Sequence, residues 1–143
     1  MICGLNCDPG NFEDYDALAR DLKAAGATVA RFPLVLHGGV DYPAVCSALI
    51  GGGVEPLPVL ARESFEHGGV RSGWKQSMAY WRDRLPMVTR WQVGNEPDHE
   101  SPSSWTLAPD DFSDLLLLSR EVFGPDAYLI AGGLVSGQPG YLD

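Results

Sequence analysis

The sequence has little positive charge. Among its 143 residues, 10 are Lys or Arg and 19 are Asp or Glu, which gives a formal net charge of −9 at pH 7. A nucleic-acid-binding domain needs a basic surface to neutralise phosphates, and a protein held on anionic lipids needs a polybasic segment. The acidic balance therefore argues against nucleic acid and membrane as partners.

Long apolar runs and cysteines are also scarce. No segment approaches the roughly 20 apolar residues of a transmembrane helix, and the first ten residues, MICGLNCDPG, lack the basic and apolar regions of a signal peptide. Cys3 and Cys7 would lie roughly 13 Å apart on one strand, too far for a disulfide, and Cys46 is the third cysteine. We therefore expect reduced thiols and a cytoplasmic protein.

Clustered metal ligands are missing from the sequence as well. A metal site would need Cys or His pairs at ligand spacing, whereas the three histidines are isolated at positions 37, 67 and 99. We expect neither a metal ion nor another cofactor.

The pattern that is present is an alternation of strand-like and helix-like segments. Trp74, Met78, Trp81 and Leu85, for example, fall on one face of a helix. Pro56 and Pro58 weaken the prediction of the third strand. The pattern predicts strands over residues 2–6, 28–33, 54–60, 88–94 and 127–133, and helices over 13–25, 43–50, 74–85 and 109–123.

Strands joined only by helices predict parallel strands with right-handed crossovers. An open doubly wound sheet would place a glycine-rich phosphate loop after its first strand, but the segment CDPGNFED offers one glycine among acidic residues. A (β/α)8 barrel instead places functional groups at the carboxyl ends of several strands. The predicted fold is therefore α/β, a partial TIM (β/α)8 barrel of about five βα units that occupies residues 1–143 as a single domain.

Polar residues lie at or after the carboxyl ends of four of the predicted strands, as the barrel interpretation requires. They are Asn6 and Asp8, Arg31 and His37, Arg62 and Glu63, and Asn95 and Glu96, in chain order.

The segment RWQVGNEPDHE, residues 90–100, turns abruptly from a buried strand into a polar loop. Alternation along the strand predicts that Trp91 and Val93 face the helices, whereas Gln92, Gly94 and Glu96 face the barrel interior. Gly94 would then leave space beneath Glu96 for the floor of a pocket. The alternative is that Glu96 is only the first solvated residue of a loop.

Three short segments resemble a known clan of enzymes. Val-Gly-Asn-Glu-Pro at 93–97 resembles the strand-four signature of the retaining (β/α)8 glycoside hydrolases, which include the family-5 cellulase-like enzymes. Arg-Phe-Pro at 31–33 is similar to the arginine segment that ends their second strand, and Gly-Leu-Asn at 4–6 is similar to their first strand. The resemblance implies hydrolysis of O-glycosyl bonds in an oligo- or polysaccharide.

The resemblance also implies roles for individual residues. Retaining cleavage needs an acid that protonates the leaving oxygen and a nucleophilic carboxylate about 5 Å away. By resemblance, Glu96 is the general acid/base, Asn95 binds the hydroxyl next to the anomeric carbon, and Arg31 holds the nucleophile. A competing interpretation pairs a buried Arg31 with Glu55 or Asp8.

Three further residues are candidates for substrate binding. Asn6 and His37 follow the first and second strands, at the end where the resemblance places the sugar. Trp105 could stack on a sugar ring, or it could be an ordinary loop anchor.

The sequence departs from the clan in two respects. The clan's nucleophile ends strand seven, which has no counterpart among these 143 residues, and the segment LARES at 60–64 lacks the histidine usual in family 5. We therefore expect the isolated chain to be inactive, with exposed sheet edges that indicate a missing C-terminal half or self-association. The alternative function is a non-catalytic carbohydrate-binding or assembly module on the same scaffold.

Overall fold

The computed structural model describes residues 3–97 and 105–132, in which five strands alternate with four helices. Positions 2 and 133, which the sequence pattern assigned to strands, lie outside these ranges. The strands are β1 Gly4–Asn6, β2 Val29–Pro33, β3 Glu55–Leu60, β4 Arg90–Val93 and β5 Tyr128–Ala131. The helices are α1 Tyr15–Ala24, α2 Tyr42–Gly51, α3 Trp74–Arg84 and α4 Pro109–Phe123.

All five strands form one parallel sheet, and their order in the sheet follows their order in the chain. The predicted α/β class and the predicted parallel pairing are therefore confirmed. Within the described residues, β1 and β5 are the two edges and the sheet does not close on itself. Each of these two strands thus leaves one side of its backbone unpaired by the described part of the chain.

One face of the sheet packs against the helices. Phe32, Leu60, Trp91 and Val93 belong to a single buried cluster that includes residues of all four helices. The ring of Trp91 lies 4.5 Å from that of Phe123 at the end of α4. The predicted helix-facing positions of Trp91 and Val93 are therefore confirmed.

The predicted apolar face of α3 lies in this core. Its two tryptophans also bind the connection between β3 and α3, because Trp74 Nε1 donates to the Gly69 carbonyl at 2.8 Å and Trp81 Nε1 donates to the Ser64 carbonyl at 2.7 Å. Both indoles are buried and their N–H groups are hydrogen-bonded, so the two side chains anchor this connection to the core. The face consists of Trp74, Met78, Trp81 and Leu85, each at most 2% exposed.

Side-chain caps explain where two of the helices begin. Asp14 accepts a hydrogen bond from the Ala17 backbone N–H at the start of α1. Asp41 does the same for Ala44 at the start of α2. Each cap satisfies one of the backbone donors that a helix leaves free in its first turn.

Pro56 and Pro58 do not prevent β3 from forming, although β3 is an interior strand. The Glu55 N–H donates toward β2, to the Thr28 carbonyl, so the backbone nitrogens of both prolines point to the β4 side. Pairing with β4 begins only at Val59, beyond both prolines. The missing proline N–H groups therefore leave no hydrogen bond of the sheet unmade.

The other face of the sheet has no helix over it in the described ranges. Right-handed crossovers between successive parallel strands place every helix on the same side, and Tyr128 and Ile130 on the opposite face are 66% and 42% exposed. Asn6, Arg31 and Gln92 share that face. None of the helices in residues 3–97 and 105–132 has the length and apolar character needed to cross a bilayer.

Candidate functional site

Arg31 joins three strands at the carboxyl end of the open face. Its Nη1 donates to Asn6 Oδ1 at 3.3 Å, its Nε to Gln92 Oε1 at 2.7 Å, and its Nη2 to Asn95 Oδ1 at 2.6 Å. We call these four residues the Arg31 cluster. Asn6, Arg31 and Asn95, chosen from the sequence as site residues, are thus brought into direct contact.

Strand register explains why residues so distant in sequence meet. Asn6 is paired directly with Arg31 across β1 and β2, so their side chains leave the same face of the sheet. β3 lies between β2 and β4 and contributes Leu57 and Val59 to this face. The long Arg31 side chain can therefore cross β3 to reach Gln92 without a competing polar partner.

The environment of Arg31 is that of a half-buried cation. Burial lowers the pKa of its guanidinium, whereas the negative charge of Glu96 raises it. A guanidinium remains protonated in proteins, so the cluster carries a positive charge beside Glu96. All three hydrogen-bond acceptors that the described residues give Arg31 are neutral side-chain amides.

The competing pairing of Arg31 with Glu55 or Asp8 is wrong. Glu55 Oε1 lies 2.9 Å from Nε of Arg90 at the amino end of the sheet. Asp8 instead accepts from the Gly10 backbone N–H at 3.0 Å and caps a short turn after β1. Each carboxylate has a nearer local partner, so neither one neutralises Arg31.

Glu96 lies in a strained turn directly after β4. Its φ of 48° is left-handed, and only one other non-glycine residue in the described part of the chain, His67, shares this feature. The left-handed conformation costs roughly 1–2 kcal/mol in residues with a side chain. Glu96 is exposed, as is Asn95 before it. Strain of this kind concentrates at functional sites, which makes the turn a candidate site.

Gly94 does not form the floor of a pocket, so that prediction is wrong. A Cβ atom on Gly94 would lie 2.8 Å from Cε2 of Phe112, because the ring of this α4 residue occupies the space. The φ of Gly94 is 76°, so the strand alternation that was extended to Glu96 ends at Val93. The turn, and not the alternation of side chains along the strand, therefore sets the position of Glu96.

Gly132, directly after β5, supports the same turn and was not among the site residues predicted from the sequence. Its N–H donates to the Val93 carbonyl at 2.8 Å. A Cβ atom on Gly132 would lie 2.6 Å from the Gly94 oxygen and 3.1 Å from the Asn95 nitrogen. The end of β5 therefore fits closely against the peptide that carries Asn95.

Gln92 is the one member of the Arg31 cluster that was not chosen from the sequence as a site residue. Alternation predicted its direction, toward the face opposite the helices, and its contact with Arg31 confirms that direction. A glutamine between the apolar Trp91 and Val93 of a predicted strand is the sequence signal that could have singled it out, and the structure leaves its side chain only 7% exposed.

His37 lies apart from the Arg31 cluster. Its Nε2 is 3.7 Å from Oε2 of Glu66, and its side chain is 80% exposed. No contact among the described residues connects it to Arg31 or Asn95. Arg62 and Glu63 begin the short turn Arg62–Ser64 after β3.

Trp105 packs as a loop anchor. Its ring centroid lies 5.0 Å from that of Phe65 and 6.0 Å from that of Trp74, and its indole fills the space above Gly69. Nearby, the Leu107 N–H donates to the Pro97 carbonyl at 2.9 Å. These contacts favour the anchoring interpretation of Trp105 over the sugar-stacking one.

Comparison with models of protein families and with curated proteins found no match to this chain. In residues 3–97 and 105–132, no three His, Cys, Asp or Glu side chains converge as metal ligands would. The chemistry of the site thus comes from a cation held by amides, with one carboxylate beside it.

Proposed function

We propose that the chain is the N-terminal part of a (β/α)8 barrel and carries the acid/base portion of a retaining glycoside hydrolase site. Strand order supports the barrel. A doubly wound sheet reverses its strand order and carries helices on both faces, whereas here strand order follows the chain and the helices lie on one face. The open face would then be the barrel interior.

The observation that carries the proposal is the contact of Arg31 with Asn95, next to Glu96. In the proposed reaction Glu96 protonates the leaving oxygen and later removes a proton from the attacking water. Asn95 binds the hydroxyl beside the anomeric carbon. The substrate class is an oligo- or polysaccharide, and the reaction needs no cofactor.

Arg31 has capacity left for the second carboxylate of the mechanism. A guanidinium has five N–H donors, of which three are used by the amides of the cluster. The remaining two can bind a nucleophilic carboxylate, which retaining enzymes hold about 5–5.5 Å from the acid. The described residues bring no such carboxylate to Arg31, so the nucleophile would come from elsewhere.

The contact of Arg31 with Asn95 is also compatible with a second candidate function. A site with one carboxylate can bind a sugar through Asn95, Arg31 and Asn6 without cleaving it. A non-catalytic carbohydrate-binding module on this scaffold is therefore the alternative, and it predicts binding without turnover.

The test compares the 143-residue chain with a longer version that carries the remaining barrel strands, each assayed on a panel of aryl β-glycosides. We expect little or no turnover by the chain alone, because a lone acid cannot complete a double displacement. The longer version should turn over and lose activity in the Glu96→Gln variant.

Two other outcomes would contradict the proposal. Robust turnover by the 143-residue chain that Glu96→Gln abolishes would mean that the nucleophile comes from within the chain or across a dimer. Sugar binding by both versions without turnover would favour the binding module.

A further inference from the structure

We infer that Gln92 is a positioning residue that sets the orientation of the Asn95 amide through Arg31. The relevance of that orientation to a sugar rests on the proposed function, whereas the contacts themselves do not. Gln92 touches Arg31 and not the Asn95 side chain, so the effect passes through the guanidinium.

The orientation of the Gln92 amide is determined at both ends. Its Oε1 accepts from Arg31 Nε at 2.7 Å, and its Nε2 donates to the Gly94 carbonyl at 3.0 Å. Exchanging the oxygen and the nitrogen would set donor against donor at Arg31 and acceptor against acceptor at Gly94. Because the side chain is only 7% exposed, water cannot easily compensate for the lost bonds.

Gln92 in turn fixes the plane of the guanidinium. Arg31 Nε is part of a rigid planar fork, so binding it to Gln92 also directs the two terminal nitrogens. Nη2 then meets Asn95 Oδ1 at 2.6 Å, and Nη1 meets Asn6 Oδ1 at 3.3 Å. The weaker Asn6 contact makes Gln92 the firmer of the two supports for the Arg31–Asn95 bond.

The consequence is that Asn95 presents more donor than acceptor capacity to a ligand. One lone pair of its Oδ1 is taken by Arg31, which leaves one lone pair and both N–H bonds of Nδ2 for recognition. The part of this amide that is left for a ligand is therefore rich in donors. It is thus suited to acceptor oxygens, such as the lone pairs of a sugar hydroxyl that donates its own proton elsewhere.

Gln92 also holds the backbone from which Asn95 projects. The Gly94 carbonyl that accepts from Gln92 belongs to the peptide joining Gly94 to Asn95. Gly132 lies against the same peptide from β5. The Asn95 side chain is therefore held at its amide by Arg31 and at its backbone by Gln92 and Gly132.

The test uses side-chain NMR of the ¹⁵N-labelled 143-residue chain without a ligand. In Gln92→Met, Arg31 Nε–H should exchange with solvent about tenfold faster or more, because a hydrogen bond to a charged group is lost. The Asn95 Nδ2 signals should shift, although residue 92 does not contact that amide. In Gln92→Glu, which keeps an acceptor for Arg31 Nε but loses the donor to the Gly94 carbonyl, the Arg31 Nε–H should stay protected from exchange.

Val59→Ala is the matched control, because Val59 is paired with Gln92, shares its face and is also buried. It should lower stability while leaving the Arg31 and Asn95 signals in place. In an Arg31→Met background, adding Gln92→Met should shift the Asn95 Nδ2 signals less than it does in the unsubstituted chain, since only the contact of Gln92 with the Gly94 carbonyl is left to lose.

Three outcomes would overturn the inference. They are Asn95 signals unchanged in Gln92→Met, an equal change in Val59→Ala, and an Arg31 Nε–H that exchanges as fast in Gln92→Glu as in Gln92→Met. Because no sugar is present, failure of the glycosidase proposal would leave this result intact. Conversely, the turnover assay uses no Gln92 variant, so its outcome does not depend on whether the inference about Gln92 is correct.

Discussion

The 2.6 Å hydrogen bond from Arg31 Nη2 to Asn95 Oδ1 joins the end of β2 to the turn after β4, across the intervening strand. β3 offers only Leu57 and Val59 to this face near the bond. The guanidinium therefore keeps its donors for the amides of the neighbouring strands. Since Asn95 precedes Glu96, the same bond limits where the carboxylate can go.

Replacing Gly132 with alanine should disturb the turn that carries Asn95 and Glu96. The new methyl group would lie 2.6 Å from the Gly94 oxygen, which is backbone and cannot rotate away. Overpacking of this kind costs about 1–3 kcal/mol in the free energy of unfolding. Urea denaturation measures the cost, and backbone NMR should show the largest shifts at residues 94–96.

Gly4→Ala is the control for that substitution. Gly4 lies in the edge strand β1, as Gly132 lies directly after the edge strand β5, but a Cβ atom on Gly4 would have nothing within 4 Å. Its free energy of unfolding should stay near or above that of the unsubstituted chain. Equal losses in the two variants would show that Gly132 has no special contact.

Two substitutions of Glu96 should separate backbone strain from side-chain chemistry. Both glycine and alanine remove the carboxylate, but only glycine adopts a φ of 48° without strain. We therefore expect Glu96→Gly to be about 1 kcal/mol more stable toward unfolding than Glu96→Ala. Denaturation curves of the two variants give the difference, and an alanine variant as stable as glycine would mean that the turn is unstrained.

If Glu96 is the acid/base, its loss should slow cleavage most for substrates with poor leaving groups. In a longer protein that contains this segment, Glu96→Ala should lose about 10²–10⁴-fold with such substrates and much less with activated aryl glycosides. Added azide should restore turnover, because a small anion attacks the glycosyl-enzyme without a base. A loss independent of the leaving-group pKa, without azide rescue, would remove Glu96 from the mechanism.

Trp105→Ala should reduce stability and, if the chain binds sugar as proposed, leave that affinity largely unchanged. Trp105 packs on Phe65 and Trp74, and truncating a half-buried indole of this kind costs about 2–4 kcal/mol. Trp105→Phe keeps a ring in contact and should lose less. Chemical denaturation measures both variants. A variant that kept its stability but no longer bound sugar would restore the stacking-platform interpretation.

Stability should fall at high pH because of a buried thiol. Burial raises the pKa of Cys46 from 9.0 to about 12. Above pH 9 the unfolded chain releases this proton while the folded chain keeps it, so the unfolded state is favoured. The contribution of this thiol to the free energy of unfolding is complete below pH 9. It is lost between pH 9 and about pH 12, by about 1.4 kcal/mol per pH unit.

Urea denaturation of the unsubstituted chain and of Cys46→Ala at increasing pH tests this effect. The alanine variant should be less stable at neutral pH, because it leaves a cavity, but it should lose less stability as the pH rises. Cys3→Ala is the control for removing a thiol outside the core. Parallel curves for the unsubstituted chain and Cys46→Ala would contradict the prediction.

Much of the fold follows from local sequence. Apolar spacing located the four helices and five strands, and proline and glycine marked several of their ends. The bounds differ by a few residues where pairing decides them, since β4 was predicted over 88–94 and spans Arg90–Val93. Alternation also predicted that Trp91 and Gln92 lie on opposite faces, because the period of a strand is a local property.

The candidate site likewise depends partly on local sequence and partly on tertiary contacts. Sequence alone indicated that Asn6, Arg31 and Asn95 lie at or just after the carboxyl ends of parallel strands, and strand direction requires such ends to share one edge of the sheet. Only the tertiary structure decided that Arg31 binds Gln92, that Phe112 fills the space at Gly94 and that Gly132 supports the turn. Those contacts depend on the register and separation of strands far apart in the chain, which local periodicity does not encode.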